Sequence, residues 1–249
     1  MQNYFSIEKK VILITGAGRG IGEHLATNLA KQNAIVYGFD KKFPSSKYNF
    51  NTLICDITNQ KKFSSICRKI FSDNKKIDVL INCAGVSFSE QKQNSIYPNK
   101  NWEKTIAINL TAAFTCSQTV ISYMIKKKSG SIINITSINA EFGFPRNPAY
   151  VASKGGLKML GKSLAKDWGN YGIRVNNLGP GYILTDMTSI RFKNKKTREA
   201  RSKRTLLGRW GTKDDLVGPC IFLASDASQY VTGQDLYVDG GWSANGLSE

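Results

Sequence analysis

Short runs rich in valine and isoleucine alternate along the chain with longer stretches in which apolar residues recur at helical spacing. The apolar runs predict strands at KVILIT (Lys10–Thr15), AIVYGF (Ala34–Phe39), TLIC (Thr52–Cys55), DVLIN (Asp78–Asn82), SIINIT (Ser131–Thr136), IRVNNL (Ile173–Leu178) and DLYV (Asp235–Val238). The stretches between them predict helices at Ile21–Lys31, Gln60–Phe71, Trp102–Lys127, Tyr150–Trp168 and near Asp214–Leu223.

This alternation is typical of βαβ units, in which helices join parallel strands and cover the sheet. It predicts an α/β fold, a single Rossmann-type doubly wound parallel sheet with helices on both faces. No linker, internal repeat or low-complexity tract interrupts the pattern, so we expect residues 1–249 to form one domain.

The amino-acid composition and the N-terminal residues indicate the cellular compartment in which the protein is expected. Apolar residues make up 41% of the chain, so a sizeable core is possible without disulfides. The five cysteines are scattered and form no CxxC pair, which argues against a disulfide framework or a zinc site and predicts no metal. The segment MQNYFSIEKK lacks a cationic stretch followed by an apolar one, so we expect no signal peptide and a cytoplasmic location.

One uncharged stretch, Thr105 to Ile125, is long enough to span a bilayer. Polar residues recur throughout it: Asn109, Thr111, Thr115, Ser117, Gln118, Thr119 and Ser122. Because such side chains are costly in a lipid-facing helix, the pattern favours a buried helix and predicts no membrane partner.

The net charge of +17 raises nucleic acid as a partner. The excess is uneven along the chain: between Arg191 and Arg204 lie Arg191, Lys193, Lys195, Lys196, Arg198, Arg201, Lys203 and Arg204 against a single acid, Glu199. No zinc-finger, RNP-like or basic-zipper pattern accompanies it, so we expect no nucleic-acid function. The alternatives for this segment are a solvated surface and a local anion site.

The first predicted strand runs directly into TGAGRGIG, Thr15 to Gly22. Glycines at this point allow a tight turn and bring backbone N–H groups close to a pyrophosphate at the start of the next helix. The spacing is GxxxGxG, set by Gly16, Gly20 and Gly22, rather than GxGxxG. Its place between a strand and a helix favours a dinucleotide site over a simple turn.

The second predicted strand leads into Asp40. In dinucleotide folds an acid at this strand end accepts hydrogen bonds from the adenosine ribose hydroxyls and repels a 2′-phosphate. The residue therefore favours NAD as the cofactor. NADP stays possible, because Arg19 and Lys41 are both placed to meet a phosphate.

Tyr150 and Lys154 lie four residues apart in AYVASKGG, just after Asn147-Pro148. The Asn-Pro pair is typical of a helix cap followed by proline in the first turn. The tyrosine and the lysine then share one helix face. A nearby ammonium and the helix N-terminus both favour the phenolate, so we expect the tyrosine pKa, ordinarily about 10, to move toward neutrality.

These residues resemble the short-chain dehydrogenase/reductase family from about Lys10 to Trp242. The motifs that carry the resemblance are TGAGRGIG, NCAG at Asn82–Gly85, Asn109, Ser137, YVASK at Tyr150–Lys154 and PGYILT at Pro180–Thr185. The departures are minor: NCAG stands where the family often has NNAG, and the stretch Val86–Asn101 is polar and rather long.

The resemblance implies an NAD(P)-dependent oxidoreductase that interconverts a secondary alcohol and a ketone. It implies Tyr150 as general acid/base and Lys154 as the residue that holds the nicotinamide ribose. Ser137 would hydrogen-bond the substrate oxygen, and Asn109 would hold a water in the proton relay. The further cofactor contacts implied by motif and resemblance are Gly16, Arg19, Gly20, Ile21, Gly22, Asp40, Asp56, Ile57, Asn82, Ala84, Gly85, Pro180, Gly181, Ile183 and Thr185.

The sequence constrains the identity of the substrate less than it constrains the reaction and the cofactor. In the family the segment after Pro180-Gly181 forms a lid over the substrate, here residues 185–207, so the cation cluster would lie beside the pocket and attract a carboxylate or phosphate. RWGTKDDLVGPCIFLAS and YVDGGW resemble sugar-acid members such as gluconate 5-dehydrogenases, and also 3-oxoacyl-carrier-protein reductases. We expect a polar sugar, polyol or sugar acid, with a 3-oxoacyl-thioester as the alternative.

An alternative of another class is a catalytically silent, cofactor-binding regulator; the complete Asn109, Ser137, Tyr150 and Lys154 set argues against it. The resemblance also implies a homotetramer packed through the helices predicted at Trp102–Lys127 and Tyr150–Trp168.

Overall fold

The computed structural model of the protein describes residues 3–45, 47–89 and 96–246. Its strands are β1 (Val11–Thr15), β2 (Ile35–Asp40), β3 (Asn51–Ile54), β4 (Val79–Asn82), β5 (Gly130–Ile135), β6 (Ile173–Pro180) and β7 (Asp235–Val238). Its α-helices are α1 (Gly20–Lys31), α2 (Gln60–Asn74), α3 (Asn99–Ile106), α4 (Ala112–Lys127), α5 (Pro148–Trp168), α6 (Ser189–Lys193), α7 (Lys195–Arg204) and α8 (Val217–Ala224).

All seven strands form one parallel sheet in the order β3-β2-β1-β4-β5-β6-β7. The chain begins at the centre, winds outward through β2 and β3, then returns to pair β4 on the other side of β1. This is the predicted doubly wound sheet. Because every strand runs the same way, the carboxyl ends of all seven meet at one edge.

Each face of the sheet buries its own apolar cluster, as a parallel sheet covered on both sides requires. On one face, Phe63 of α2, Val120 of α4 and Leu164 of α5 are at most 2% exposed. On the other, Leu25 of α1 and Leu223 of α8 pack beneath the central strands. The alternating helices predicted from the sequence supply these two layers.

The predicted helix over Trp102–Lys127 differs in one respect. The helical stretch begins at Asn99 and contains a π-helical turn, Ala107–Thr111, between α3 and α4. One extra residue per turn shifts the side chains that follow, and such insertions are frequent at functional sites. Periodicity alone does not reveal a single wide turn.

The expectations of no membrane span and no metal site concern the described residues, whereas one polar stretch lies partly outside them. No helix in the described ranges is long and apolar enough to cross a membrane. Across the same ranges, no group of three or more histidine, cysteine or acidic side chains is placed to hold a metal ion. Within the polar stretch Val86–Asn101, residues 90–95 lie outside the described part of the chain.

Candidate active site

The site lies at the carboxyl edge of the sheet, where the last residues of several strands come together. Thr15, Asp40 and Asn82 end β1, β2 and β4, and Ile135 and Pro180 end β5 and β6. The side chains singled out in the sequence lie on these strand ends, on the loops that follow them and on the helices beyond, which carry Asn109, Tyr150 and Lys154.

The glycine turn between β1 and α1 is shaped by two left-handed glycines. Gly16 has φ +72° and packs so closely on the loop after β4 that a Cβ would lie 2.7 Å from the Ala84 Cα. Gly20 has φ +67° and open space within 4 Å of the position of a Cβ. The first fixes the turn against its neighbour, and the second leaves the start of α1 open to a ligand.

Three other predicted contacts belong to the same turn. Gly22 packs on the turn itself, where a Cβ would lie 2.2 Å from the Gly16 carbonyl oxygen. Arg19 immediately precedes α1 and is exposed, whereas Ile21 is half-buried against the core.

Asp40 is held against this turn. Its Oδ2 accepts the Gly18 N–H at 2.9 Å and its Oδ1 accepts the Lys41 N–H at 2.7 Å. The sequence pattern did not single out Gly18, although a Cβ there would meet the Asp40 carboxylate at 2.8 Å. Lys41, one of the two cations that favoured a phosphate, instead pairs with Asp56 at 2.6 Å.

Asp56 and Ile57 follow β3. Partial burial raises the pKa of Asp56, but the Lys41 ion pair and hydrogen bonds from Thr58 outweigh it and lower the pKa overall. The Ile57 side chain is 7% exposed and belongs to the core. Only the backbone of Ile57 is therefore available for the predicted cofactor contact.

The turn after β4 is organised by Thr15, a residue that motif spacing alone does not mark. Its hydroxyl accepts the N–H groups of Cys83 and Ala84 at 3.1 and 3.2 Å. A Cβ on Gly85 would lie 3.5 Å from Asn109 Oδ1 and 3.8 Å from Lys154 Nζ. The small residues of NCAG thus hold the backbone close to two of the predicted catalytic side chains.

The Asn82 side chain is 4% exposed and is bonded to α4 and β5. Its side-chain amide donates to Ser117 at 3.0 Å and to Asn134 at 2.9 Å. Asn134 in turn donates to Asn177 at 3.1 Å, and Asn177 donates to Asp235 at 2.7 Å. These four residues, Asn82, Asn134, Asn177 and Asp235, form the asparagine ladder that crosses β4 to β7.

Asn109 lies in the π-helical turn and is 1% exposed. Its amide donates to the Val86 carbonyl at 2.9 Å and to the Ser153 hydroxyl at 3.1 Å, while its Oδ1 accepts the Val86 N–H at 2.8 Å. The side chain therefore ties the loop after β4 to α5. Water binding by Asn109 stays a prediction.

Ser137, Tyr150 and Lys154 come together beside the end of β5. Lys154 is 4% exposed and its Nζ donates to the Ile135 carbonyl at 2.6 Å. The Nζ lies 5.7 Å from the centre of the Tyr150 ring, and Tyr150 is hydrogen-bonded to Ser137. The helical spacing of four residues places both side chains on the face that packs against this strand.

The expected direction of the Tyr150 pKa is wrong for this structure. Burial raises the pKa of the phenol, and the hydrogen bond with Ser137 offsets only part of that increase. Burial also lowers the pKa of Lys154 to about 8. The Lys154 ammonium is directed at the Ile135 carbonyl, and desolvation is the largest influence on the pKa of both side chains.

Asn147 precedes α5 as predicted, with Pro148 in the first turn, but its side chain makes no capping hydrogen bond. The amide is fully buried and donates to the hydroxyls of Ser87 at 2.7 Å and Ser89 at 3.1 Å. The Asn147 side chain thus holds the loop after β4 against the start of α5. The proline fixes the helix start without help from a side-chain cap.

The segment after β6 begins at the same edge of the sheet. Gly181 packs on the end of β7, where a Cβ would lie 2.7 Å from Asp239, and Ile183 is 4% exposed and bridges to Gly211. The Thr185 amide donates to Thr188 at 2.9 Å. Residues 185–207, which we call the basic segment, then form α6 and α7.

The residues of this edge fit a dinucleotide. Gly20 leaves open space at the start of α1, and the Asp40 carboxylate lies at the end of the adjacent strand, β2. The fold and the site together define a dinucleotide-dependent oxidoreductase.

Comparisons with known proteins agree. A family model described as enoyl-(acyl carrier protein) reductase matches residues 16–243. The chain is 36% identical to gluconate 5-dehydrogenase of Gluconobacter oxydans (strain 621H), over 95% of this chain and 96% of that protein. It is 34% identical to a 3-oxoacyl-[acyl-carrier-protein] reductase of Thermotoga maritima, over 94% and 98%.

Among solved structures, a gluconate 5-dehydrogenase from Burkholderia cenocepacia J2315 in complex with NADP and tartrate is similar. It has 33% sequence identity and a TM-score of 0.89, covering 97% of this chain and 98% of that one. The chain belongs to the short-chain dehydrogenase/reductase family. It is an NAD(P)-dependent oxidoreductase that interconverts a secondary alcohol and a ketone.

Proposed function

We propose that the substrate is a sugar acid, oxidised at a secondary hydroxyl or reduced at the corresponding ketone. The gluconate 5-dehydrogenase relatives support this class of substrate. The cations of the basic segment, which follows the cofactor motif Pro180–Thr185 directly, suit a substrate that carries a carboxylate.

In this proposal Tyr150 exchanges a proton with the substrate oxygen, and Ser137 donates a hydrogen bond to that oxygen. In the oxidation, the hydroxyl proton passes to the Tyr150 oxygen as the C–H bond breaks; in the reduction, Tyr150 returns the proton to the ketone oxygen. A nicotinamide cofactor, which the glycine turn, Asp40 and Lys154 would hold, would supply the hydride chemistry when bound. The observation that carries the assignment is the clustering of Ser137, Tyr150 and Lys154 at the end of β5.

The raised pKa of Tyr150 gives this residue a defined starting state. At neutral pH the side chain is a phenol, so it is ready to act as an acid toward a ketone. Oxidation needs the phenolate, which Lys154 stabilises only to the extent that its ammonium stays protonated, with a pKa of about 8.

We infer NAD as the preferred cofactor, with NADP as the alternative. The inference is supported by the Asp40 carboxylate beside Gly18 and by the pairing of Lys41 with Asp56. The NADP in the similar solved structure and the exposed Arg19 favour the alternative.

A 3-oxoacyl-thioester is the second candidate substrate, favoured by the 34% identity to the Thermotoga maritima reductase. A panel of gluconate, other sugar acids, neutral sugars and 3-oxoacyl thioesters, assayed with both nicotinamide cofactors, separates the two. Faster turnover of the thioester than of every sugar acid would contradict the first proposal.

Replacing the phenol tests the assigned chemistry. We expect Tyr150→Phe to lower kcat by about 100- to 10,000-fold, because it removes the proton-exchanging group and little else. Cofactor affinity, measured by fluorescence titration, should change little. Tyr171→Phe, which alters an exposed tyrosine just beyond the end of α5, is the matched control. A Tyr150→Phe enzyme with near-parental kcat would remove Tyr150 from this role.

We further propose a homotetramer packed through α3, α4 and α5. Support comes from large apolar side chains exposed on these helices: Trp102 (42%), Phe114 (42%) and Met159 (60%).

A cytoplasmic location is also proposed, consistent with five unpaired cysteines. Recovery of the activity in a membrane or extracytoplasmic fraction would contradict that location.

A further inference from the structure

The eight cations of the basic segment are not equivalent in the structure. Lys193, Lys195, Lys196 and Lys203 are exposed, and Lys195 lies 4.0 Å from Glu199 on the same helix. These lysines form a solvated face, and their effect on a bound anion is limited to a screened field.

Three of the arginines are used in packing. Their guanidinium carbons lie over aromatic rings: Arg198 over Phe192 at 5.4 Å, Arg201 over Tyr182 at 4.1 Å and over Trp210 at 5.5 Å, and Arg204 over Trp242 at 4.5 Å. These contacts anchor α7 to the residues beneath it.

Arg191 is the fourth arginine, and its partners lie outside the basic segment. Its guanidinium carbon lies 4.9 Å from the centre of the Phe144 ring, and its Nη2 donates to the Ser89 hydroxyl at 3.1 Å. Ser89 follows β4, and Phe144 lies between β5 and α5. Arg191 therefore reaches from α6 across to the two loops on the opposite side of the site.

A short chain of hydrogen bonds connects Arg191 to the catalytic helix. The Ser89 hydroxyl that accepts from Arg191 also accepts from Asn147 at 3.1 Å. Asn147 directly precedes α5, whose first turn carries Tyr150. The guanidinium is thus placed close to the start of this helix, while the lysines of α7 face solvent.

Among the described residues, no carboxylate forms an ion pair with Arg191. Ser89 takes one of its five donor hydrogens. Nearby, burial lowers the pKa of Arg201, Tyr182 raises it, and the positive charge of Arg191 lowers it further. The Nη1 of Arg201 is buried without a hydrogen-bond partner among the described residues. A guanidinium held by Phe144 and Ser89, with no paired carboxylate among the described residues, favours the binding of an anion between the loops.

We propose that Arg191 binds the carboxylate of the substrate and thereby selects sugar acids over neutral sugars. This inference rests on the proposed function, because it names the residue that recognises the acid group of the proposed substrate. Packing on Phe144 and the bond to Ser89 hold the planar guanidinium in position, so it can engage both oxygens of a carboxylate.

Gluconate and glucitol give a direct test, because they differ only in a carboxylate against a neutral CH₂OH group. In the Tyr150→Phe background with cofactor bound, calorimetry should show that Arg191→Met weakens gluconate binding roughly 10- to 100-fold. Glucitol binding should change by less than about twofold. In the enzyme with Tyr150 intact, the same substitution should raise the KM for gluconate and leave kcat largely unchanged.

Two further variants separate a specific site from a general field. Arg191→Lys keeps the charge without the planar fork and should recover part of the affinity. Lys193→Met removes one charge from the same helix and should leave gluconate affinity within about twofold. An equal loss in Lys193→Met and Arg191→Met would overturn the proposal.

The remaining outcomes distinguish this proposal from the proposed function. Equal loss of gluconate and glucitol binding in Arg191→Met would show that the residue only latches the loops, and would overturn the carboxylate assignment. Absence of gluconate binding to the parent protein would also overturn it. Gluconate binding that depends on Arg191, without turnover in the presence of Tyr150, would support the site and contradict the proposed reaction.

Discussion

At the scale of single residues, burial changes the pKa values of Tyr150 and Lys154 more than their neighbours in the sequence do. Tyr150 and Lys154 are each shifted toward their neutral forms, the tyrosine by a raised pKa and the lysine by a pKa lowered to about 8. The hydrogen bonds that hold them, to Ser137 and to the Ile135 carbonyl, come from the end of one strand. The fold therefore sets the positions and the charge states of both side chains before any ligand contributes.

Asp40 is the residue on which cofactor preference is expected to depend. Its carboxylate is fixed by the Gly18 and Lys41 N–H groups, so its charge stays at the end of β2. We expect Asp40→Ser to raise the ratio of kcat/KM for NADP to that for NAD by roughly 10-fold or more, because repulsion of a 2′-phosphate is removed. Steady-state kinetics with both cofactors measure this ratio.

Asp73→Ser, which removes an acid from α2, controls for the change in net charge. An unchanged ratio in Asp40→Ser would mean that another group, such as the exposed Arg19, sets the preference.

At the scale of elements, the asparagine ladder joins the strands that carry the catalytic loops. Asn82, Asn134 and Asn177 are at most 4% exposed and lie in register on neighbouring strands. Parallel strands are already joined by backbone hydrogen bonds, and the ladder adds side-chain bonds that fix their register at this edge. Such a buried polar network stabilises only while its members stay satisfied, and among the described ladder atoms Asn82 Oδ1 is buried without a partner.

Removing the middle of the ladder should therefore be costly. We expect Asn134→Ala to reduce the free energy of unfolding by about 2–4 kcal/mol, since it deletes two buried hydrogen bonds and leaves a cavity. Urea unfolding at fixed protein concentration measures the change, with exposed Asn170→Ala as the control. Equal midpoints for Asn134→Ala and the parent would show that the ladder makes no net contribution.

At the scale of the whole molecule, charge and apolar surface are segregated. The basic segment carries eight cations against two acids, while large apolar side chains remain exposed on α3, α4 and α5. An exposed apolar surface of this kind is typical of a subunit interface. It supports the proposed tetramer without identifying the symmetry of the assembly.

A double substitution on that surface tests the assembly. We expect Phe114→Glu with Met159→Glu to convert the tetramer to smaller species, because charges at the centre of an apolar interface are desolvated without partners. Light scattering coupled to size exclusion should then give a mass below four times the 27.6 kDa of one chain. Ile54→Glu, on the edge strand β3, is the control. A parent mass of 27.6 kDa would contradict the tetramer directly.

The sequence by itself determined the order of strands and helices, the parallel sheet and the main motifs of the site. It did so because periodicity, glycine turns and the Tyr150–Lys154 spacing are local properties of the chain. Only the tertiary structure decided the direction of the Tyr150 pKa, the pairing of Lys41 with Asp56 and the bonding of Asn82 to α4 and β5.

Tertiary structure also separated Arg191 from the seven other cations of its segment. Burial and long-range contacts join residues that lie far apart in the chain, and local spacing carries no record of which side chains will share an environment. The chain thus specifies its elements locally, whereas charge states and selective contacts arise only when the carboxyl ends of the strands are brought together.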